Sequence, residues 1–327
     1  MHAPLRWLTV LYAPAVCCMV CSPLWGQQQQ RLPGVERVAD ARAERPGPQV
    51  PFRLSPSEVE YRDRVLKFWE KNSAEVQTFS CRFTRWEYDA AFGGPNWDKQ
   101  ARAIGHGVLN FKSPDKGEYH VEKLEFLVQG GANGGRPLYK EQPGQFGEHW
   151  ICDGQKVIEY VPQRKVLIER QLPPEMQGAA ISEGPLPFMF GAKADKLNAR
   201  YWIRPLAAPV TKDAQGNLVQ SDEIWLEAVP KRREDAANYK ALRVILSRQD
   251  FLPQGLVMFM PNGKSRTTFH FHQRVVNRAD ILDWLQRDFF NPKTPKGWQR
   301  VVENLTPAAG PAVERLGREP QQGTAPR

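Results

Sequence analysis

The sequence of 327 residues lacks the short motifs that mark several common enzyme classes. It has no Gly-x-Ser-x-Gly nucleophile elbow, no phosphate-binding glycine loop, no His-Glu-x-x-His and no pair of Cys-x-x-Cys motifs. Catalytic residues can also come from distant strands, so these absences lower the expectation of catalysis without excluding it. We therefore predict a binding protein that is not an enzyme and that needs no cofactor.

Cysteine is scarce. The chain has five cysteines, and three of them lie within the first 21 residues, which leaves Cys81 and Cys152 for the rest of the protein. Two cysteines in an exported protein can form one disulfide bridge. They can equally be two buried free thiols, which pack as small apolar side chains. The sequence leaves both possibilities open.

Long hydrophobic runs are also rare, and the most marked one is at the N-terminus. Arg6 precedes an apolar stretch over residues 7–20, which Pro14 interrupts. The stretch is too short for a stable membrane span, and its charge pattern is typical of an export signal. We predict a signal peptide over residues 1–26, and an exported protein of the periplasm or cell envelope that is soluble after signal cleavage.

The composition divides the remaining chain into three parts. Residues 27–51 and residues 307–327 are rich in proline, glutamine and scattered charges, so they have little to bury and are expected to be disordered. Residues 52–306 have the length and apolar content of one β-rich domain.

The chain is basic, with 45 Lys and Arg against 36 Asp and Glu and a formal net charge of +9. Such a balance favours transient contact with an anionic membrane surface. Nucleic acid is not expected as a partner, because the predicted export signal separates the protein from it.

The domain opens with a well-marked helix. Ser55 is the predicted N-cap, Pro56 suits the first helical position and Glu58 completes a capping box. The helix is predicted to end near Asn72. Its apolar face consists of Val59, Val65, Leu66, Phe68 and Trp69.

After the helix the hydrophobic period changes to two, which is typical of strands. Phe79, Cys81 and Phe83 alternate with polar residues, and turn signals separate several of the later runs. The pattern predicts a β-rich (α+β) fold, in which one large curved antiparallel sheet forms an incomplete β-barrel with a few covering helices. Further strands are predicted around residues 101–112, 117–129, 147–152, 155–161, 165–170, 199–206, 223–230, 241–249, 255–260 and 265–276.

Residues 150–191 are the most distinctive part of the chain. Asp153-Gly154 lies between two alternating runs and predicts a tight hairpin, because glycine tolerates the positive φ of such turns. The block at residues 184–191 contains large apolar side chains but is too short and too rich in proline for a core helix. It is therefore expected to cover something apolar.

The positions of the histidines in the sequence give little support for a metal site. His270 and His272 lie on one face of a predicted strand, but no neighbouring residue in the sequence supplies a third ligand. A polar outer face is the preferred interpretation, and no metal is predicted. His106, between two glycines, is expected in a turn or bulge.

Taken in order, these features resemble the outer-membrane lipoprotein carriers LolA and LolB. The resemblance rests on the signal, the helix, the Phe79-x-x-x-Phe83 strand, the hairpin ending in Tyr160 and the Pro-Leu block. The hairpin from Trp150 and the block at residues 184–191 more closely resemble a group of exported planctomycete proteins of unknown function. Arg85 stands where the carriers commonly have glutamine.

The carrier resemblance implies an incomplete β-barrel curved around an apolar cavity that holds acyl chains of a lipid or lipoprotein. It places Phe79 and Phe83 inside the cavity, and we assign Trp150 to the same site. The first helix would form a lid together with Leu186, Phe188, Met189 and Phe190.

Two functions remain open at this point. The first is a non-catalytic carrier that binds a lipid or a lipoprotein acyl chain. The second is a structural or interaction module of the cell envelope, in which the same apolar residues fill the barrel as an ordinary core.

Overall fold

A computed structural model describes residues 50–131, 136–172, 177, 193–212, 216–278, 290 and 292–304. The predicted signal peptide, nearly all of the predicted linker and the predicted tail lie outside these ranges. So does the apolar block at residues 184–191.

The first helix, α1, spans Pro56–Ala74, so the predicted start is confirmed. The capping box is complete: the Glu58 amide donates to Ser55 Oγ at 3.3 Å, and the Ser55 amide donates to Glu58 Oε2 at 2.8 Å. These bonds satisfy amide groups that the first helical turn would otherwise leave unpaired. The residues that α1 buries are Val65, Leu66, Trp69 and Ser73.

Fifteen strands and two short α-helices follow among the described residues. They are β1 Thr78–Tyr88, β2 Ala103–Lys112, β3 Lys116–Gln129, β4 Leu138–Glu141, β5 His149–Cys152, β6 Lys156–Val161, β7 Val166–Gln171, α2 Ala194–Arg200, β8 Tyr201–Leu206, β9 Val210–Lys212, β10 Leu218–Gln220, β11 Glu223–Pro230, α3 Arg233–Ala236, β12 Ala241–Ser247, β13 Pro253–Phe259, β14 Arg266–Val276 and β15 Gln299–Asn304.

Thirteen of these strands form one sheet, in the order β15-β7-β6-β5-β3-β2-β1-β14-β13-β12-β11-β8, with β4 paired to β3. The sheet is open, with β15 and β8 at its ends, and a sheet of this size curls through its own twist. The predicted fold class, one large sheet with few helices, is confirmed. Strands β9 and β10 form a separate hairpin.

The sheet is mixed, whereas an antiparallel sheet was predicted. β15 pairs with β7 in parallel, because the chain returns to the sheet edge after a long connection. No sequence pattern predicted β15, since its apolar residues Val301 and Val302 are exposed at the edge and show no alternation.

The Asp-Gly hairpin is present between β5 and β6. Gly154 has φ of 95°, and the Asp153 carboxylate accepts from the amides of Gln155 and Lys156 at 2.9 Å. Asp153 is therefore a turn-forming residue, as predicted. Trp150 and Tyr160 lie on neighbouring strands but on opposite faces, since Trp150 pairs with Glu159.

We define the inner face of the sheet as the face that forms one core with α1, and the outer face as its opposite. On β1 the inner face consists of Phe79, Cys81, Phe83 and Arg85, all of them buried. The core also draws residues from β2, β3 and β8, and from the four strands β11 to β14.

The inner face contains one fully buried charge. Arg85 is 0% exposed and its guanidinium contacts the carboxylates of Glu148 at 2.7 Å and Glu87 at 2.8 Å. It also donates to the Tyr119 hydroxyl at 2.8 Å. Burial alone would lower the pKa of Arg85, but Tyr119, Glu148 and Glu87 outweigh it and raise that pKa, so the arginine stays charged.

Two glycines on β2 provide the space for these large inner side chains. A Cβ at Gly107 would lie 2.8 Å from the Phe83 ring and 2.0 Å from the His120 carbonyl oxygen. A Cβ at Gly105 would lie 3.4 Å from Arg85 Nε. The ladder shifts register between His106 and Gly107, but the extra residue is Glu122 on β3, so His106 lies in a strand beside a bulge and not in the predicted turn or bulge itself.

The possible disulfide between Cys81 and Cys152 is not formed. Both cysteines are buried and free, on β1 and β5, with β2 and β3 between them. Three strand spacings of about 4.8 Å separate the two strands by roughly 14 Å, and a disulfide needs Cα atoms within about 7 Å. The free-thiol alternative is therefore the correct one.

The buried thiols should be unreactive in the folded protein. Burial raises the pKa of both Cys81 and Cys152 from 9.0 to about 12. The reactive thiolate fraction at pH 8 then falls from about one in ten to about one in ten thousand. We expect Ellman's reagent to detect no thiol in the native chain from residue 27 onward and two thiols in guanidinium. A count of zero after denaturation would instead indicate a bridge.

Substitution of Arg85 should lower the free energy of unfolding far more than substitution of a matched exposed arginine. Arg85→Met leaves two carboxylates without their buried partner, which should cost about 3–5 kcal/mol in the free energy of unfolding measured with urea. Arg82 is the control, because it lies on the same strand with Glu122 at 2.6 Å but is 47% exposed. Arg82→Met should cost less than about 1 kcal/mol. Equal losses would contradict a special role for the buried cluster.

Candidate functional site

The described members of the predicted lipid site lie on the inner face and are packed there. Phe79 is 2% exposed and Phe83 1% exposed, and both belong to the core. The Phe83 ring stacks on Tyr119 at 5.0 Å, and Tyr119 stacks on the half-buried Trp150 at 5.5 Å. The structure therefore brings Phe83 and Trp150 together through a third ring that was not predicted.

The four predicted lid residues other than those of α1 lie outside the described residues. They are Leu186, Phe188, Met189 and Phe190. Their role in a lid stays a prediction.

A large cleft of about 1150 Å³ lies between α1, α2 and the edge strand β8. We call it the edge cleft. Its apolar lining comes from both sides of the cleft: Phe52, Leu54 and Val59 precede or begin α1, and Trp202 and Ile203 belong to β8. Sites for small molecules commonly measure roughly 300–1,000 Å³, so the edge cleft has room for a long apolar ligand.

The charged lining of the edge cleft is mainly basic, with five cationic and three acidic side chains. Lys231 lies 6.0 Å above the ring of Trp202 and donates to the carbonyl oxygen of Asn198, so one of these cations is held close to the apolar lining. The cationic residues are Arg53, Arg62, Lys67, Lys193 and Lys231, and the acidic ones are Asp63, Glu70 and Asp195.

Local features of the sequence position the walls of the edge cleft. The cap at Ser55 starts α1 directly after Leu54, which fixes the apolar residues that precede the helix. The Ala194 amide donates to Glu70 Oε2 at 3.2 Å, which ties the start of α2 to α1. Ile203 is buried on the inner face of β8, so the strand is anchored in the core beside the cleft.

A second candidate group of side chains lies on the outer face, and sequence reasoning missed it. Glu118 and His120 are two residues apart on β3, and His149 on β5 is the register partner of His120. Each offers a ligand atom, and these atoms lie within 4.8 Å of one another. We call this group the outer-face triad.

The outer-face triad is held in place by ring stacking and hydrogen bonds. The His149 ring stacks on His120 with centroids at 3.9 Å and on Tyr160 at 4.2 Å. His149 Nε2 and Glu118 Oε1 are 2.9 Å apart, and Asn110 Nδ2 donates to Glu118 Oε2 at 2.7 Å. Burial and the neighbouring His149 lower the pKa of His120, which favours the neutral imidazole that binds metal ions.

The triad borders a second cleft of about 620 Å³. Its lining includes His120, His149 and Tyr160, together with Trp298 and the loop around Phe146. The Trp298 ring packs edge to face against the Tyr160 ring, with their centroids 6.1 Å apart. The segment before β15 therefore completes a cleft over the histidines.

His270 and His272 remain apart from this group. They lie on the outer face of β14 with ring centroids 5.7 Å apart, as the predicted polar outer face requires. The sequence drew attention to this pair because its members are two residues apart. His120 and His149 are 29 positions apart, and only the register of β3 with β5 joins them.

Within the described part of the chain, no helix has the length and apolar character needed to cross a membrane.

Comparison with known proteins gives only distant likenesses. No protein-family model and no curated protein matches the chain. An uncharacterized conserved protein from Thermus thermophilus is similar in structure, with a TM-score of 0.40, 10% identity, and coverage of 74% of this chain and 99% of that one.

Two further solved structures concern lipoproteins or the LolA superfamily. The Mycobacterium tuberculosis lipoprotein LppX has a TM-score of 0.34 at 6% identity, over 66% of this chain and 95% of that one. A LolA-superfamily protein from Nitrosomonas europaea has a TM-score of 0.28 at 9% identity, over 66% and 94%. Likenesses this distant carry no argument about a ligand.

Proposed function

We propose that this protein is an exported, non-catalytic binder of a lipid or a lipoprotein acyl chain in the periplasm or cell envelope. The observation that carries the proposal is the edge cleft, whose lining combines apolar side chains with more basic than acidic ones. An acyl chain gains about 0.8 kcal/mol for each methylene group that it buries, so it can be held without a reactive residue or a cofactor.

The charge of the lining supports an amphiphile with an anionic head group. Five cationic and three acidic side chains line the edge cleft, which gives the lining a net charge of +2. The whole chain has a formal net charge of +9, which favours transient contact with an anionic membrane surface. A carrier must meet the surface from which it takes its ligand, and this charge assists the encounter.

The predicted lid connects to the edge cleft through the chain. Gly191 closes the apolar block and lies two positions before Lys193, which lines the cleft. We propose that Leu186, Phe188, Met189 and Phe190 cover a bound acyl chain there.

A second function is favoured by the packing of the inner face. Phe79 and Phe83 are buried among protein side chains, which is what a structural or interaction module with a self-filled barrel requires. That module would bind no lipid, so lipid binding separates the two proposals.

Chain length should control affinity if the edge cleft binds an acyl chain. The affinity of a competing fatty acid, measured by displacement of a fluorescent fatty acid, should rise about 15-fold for each two methylenes added to the competitor, until the cleft is filled. Native mass spectrometry of protein purified from its own host should also detect a lipid. If no lipid co-purifies and no fatty acid displaces the probe, the structural module is the correct proposal.

Substitutions should locate the binding site. Leu54→Glu places a charge in the apolar lining and should weaken fatty-acid binding at least tenfold, whereas Leu218→Glu should not, because Leu218 is 73% exposed on β10. For the lid, Phe188→Ser should weaken binding, and Phe92→Ser at a 75% exposed position is the matched control. Equal effects within a pair would contradict the corresponding assignment, provided that thermal unfolding is unchanged.

A further inference from the structure

We infer that Glu118, His120 and His149 bind a divalent transition-metal ion of the zinc class on the outer face of the sheet. This site goes beyond the proposed lipid function, since none of its residues lines the edge cleft. Two imidazoles and one carboxylate form a ligand set that zinc accepts, commonly with a fourth position left open.

The distances within the outer-face triad suit coordination. Metal–ligand bonds of about 2.0–2.1 Å at tetrahedral angles place two ligand atoms about 3.3 Å apart. His149 Nε2 and Glu118 Oε1 are 2.9 Å apart, so an opening of a few tenths of an ångström admits an ion between them. The remaining ligand atom, from His120, lies within 4.8 Å of both, which a change of its ring rotamer can shorten.

The residues around the triad also hold it in place as the neighbours of metal ligands do. Ligating carboxylates are usually held by further hydrogen bonds, and Asn110 Nδ2 donates to Glu118 Oε2 at 2.7 Å. Glu118 is buried, and Tyr160 stacks on His149 and restricts its ring. Two of the three ligands are therefore oriented before any ion arrives.

A hydrogen bond between Glu118 and His149 alone does not explain why His120 lies beside them. The centroids of the His120 and His149 rings lie 3.9 Å apart, and both imidazoles lie beside the one Glu118 carboxylate. A shared metal ion makes this proximity favourable, because both neutral rings donate electron pairs to it. The pair His270 and His272 lies 5.7 Å apart and belongs to no comparable group in the described part of the chain.

The two histidines of the triad border the smaller cleft, from which a fourth ligand can approach. His120 and His149 line that cleft of about 620 Å³ together with Tyr160 and Trp298. A water molecule or a small oxygen ligand can reach the ion from this side. The geometry therefore points to an accessible site rather than one closed by four protein ligands.

Metal binding to the untagged, metal-stripped protein tests this inference. Titration calorimetry with Zn²⁺ should give one high-affinity site per chain, and Co²⁺ should give visible absorption bands of a four- or five-coordinate ion. His120→Ala, His149→Ala and Glu118→Gln should each weaken Zn²⁺ binding by more than about 100-fold, since loss of supporting residues alone costs roughly 10–100-fold. Asn110→Ala should fall within that smaller range.

His270→Ala is the matched control, because it removes an exposed outer-face histidine outside the triad, and it should leave Zn²⁺ affinity unchanged. Glu118→Gln preserves side-chain size, so it decides the question if a histidine variant fails to fold. Zn²⁺ binding that is equally strong in wild type and in folded Glu118→Gln and His120→Ala would overturn the inference. So would the absence of saturable Zn²⁺ binding by the wild type.

Discussion

The buried ion pair between Arg85 and Glu148 fixes how the two faces of the sheet are used. Glu148 immediately precedes β5, and its carbonyl oxygen accepts from the Val121 amide at 2.8 Å, so β5 enters the sheet with this side chain on the inner face. Side chains alternate along a strand, and His149 must then lie on the outer face beside His120. A shift of one residue would exchange the faces and bury a histidine next to the arginine.

Protein side chains fill the inner face, so the edge cleft and the outer-face triad lie elsewhere on the sheet. The carrier resemblance implied an apolar cavity around Phe79 and Phe83, but these rings pack against Tyr119, Phe269 and the core beneath α1. The edge cleft lies where the sheet stops at β8, because an end strand has no further neighbour to cover it. The outer-face triad lies where the segment before β15 crosses the opposite face.

Features set by neighbouring residues could be predicted from the sequence. The cap at Ser55, the turn at Gly154 and the alternation of β1 each depend on a few adjacent residues, and each is present in the structure. The choice between a bridge and free thiols at Cys81 and Cys152 could not be made, because it depends on β2 and β3 lying between their strands. Strand order depends on the whole sheet, which no local pattern contains.

The same limit explains the parts of the candidate site that were missed. Arginine is rarely buried, so nothing in the sequence marked Arg85 as a core residue. Its burial depends on the space beside Gly105, on the carboxylate of Glu87 two residues along β1, and on that of Glu148 from a distant part of the chain. The triad likewise needs the register of β3 with β5, which becomes visible only once both strands are placed.

The central position of β1 has a consequence for how the chain folds. β1 pairs with β2, its immediate successor, but its other partner is β14, so that Phe79 meets Val276 about 200 residues later. One edge of β1 must therefore stay unpaired until most of the chain is available, and topologies dominated by such distant pairings fold slowly. An unpaired apolar edge is prone to association with other chains. Arg82 projects from the outer face in the middle of β1, and a charge within an apolar strand disfavours such association, as gatekeeper residues do.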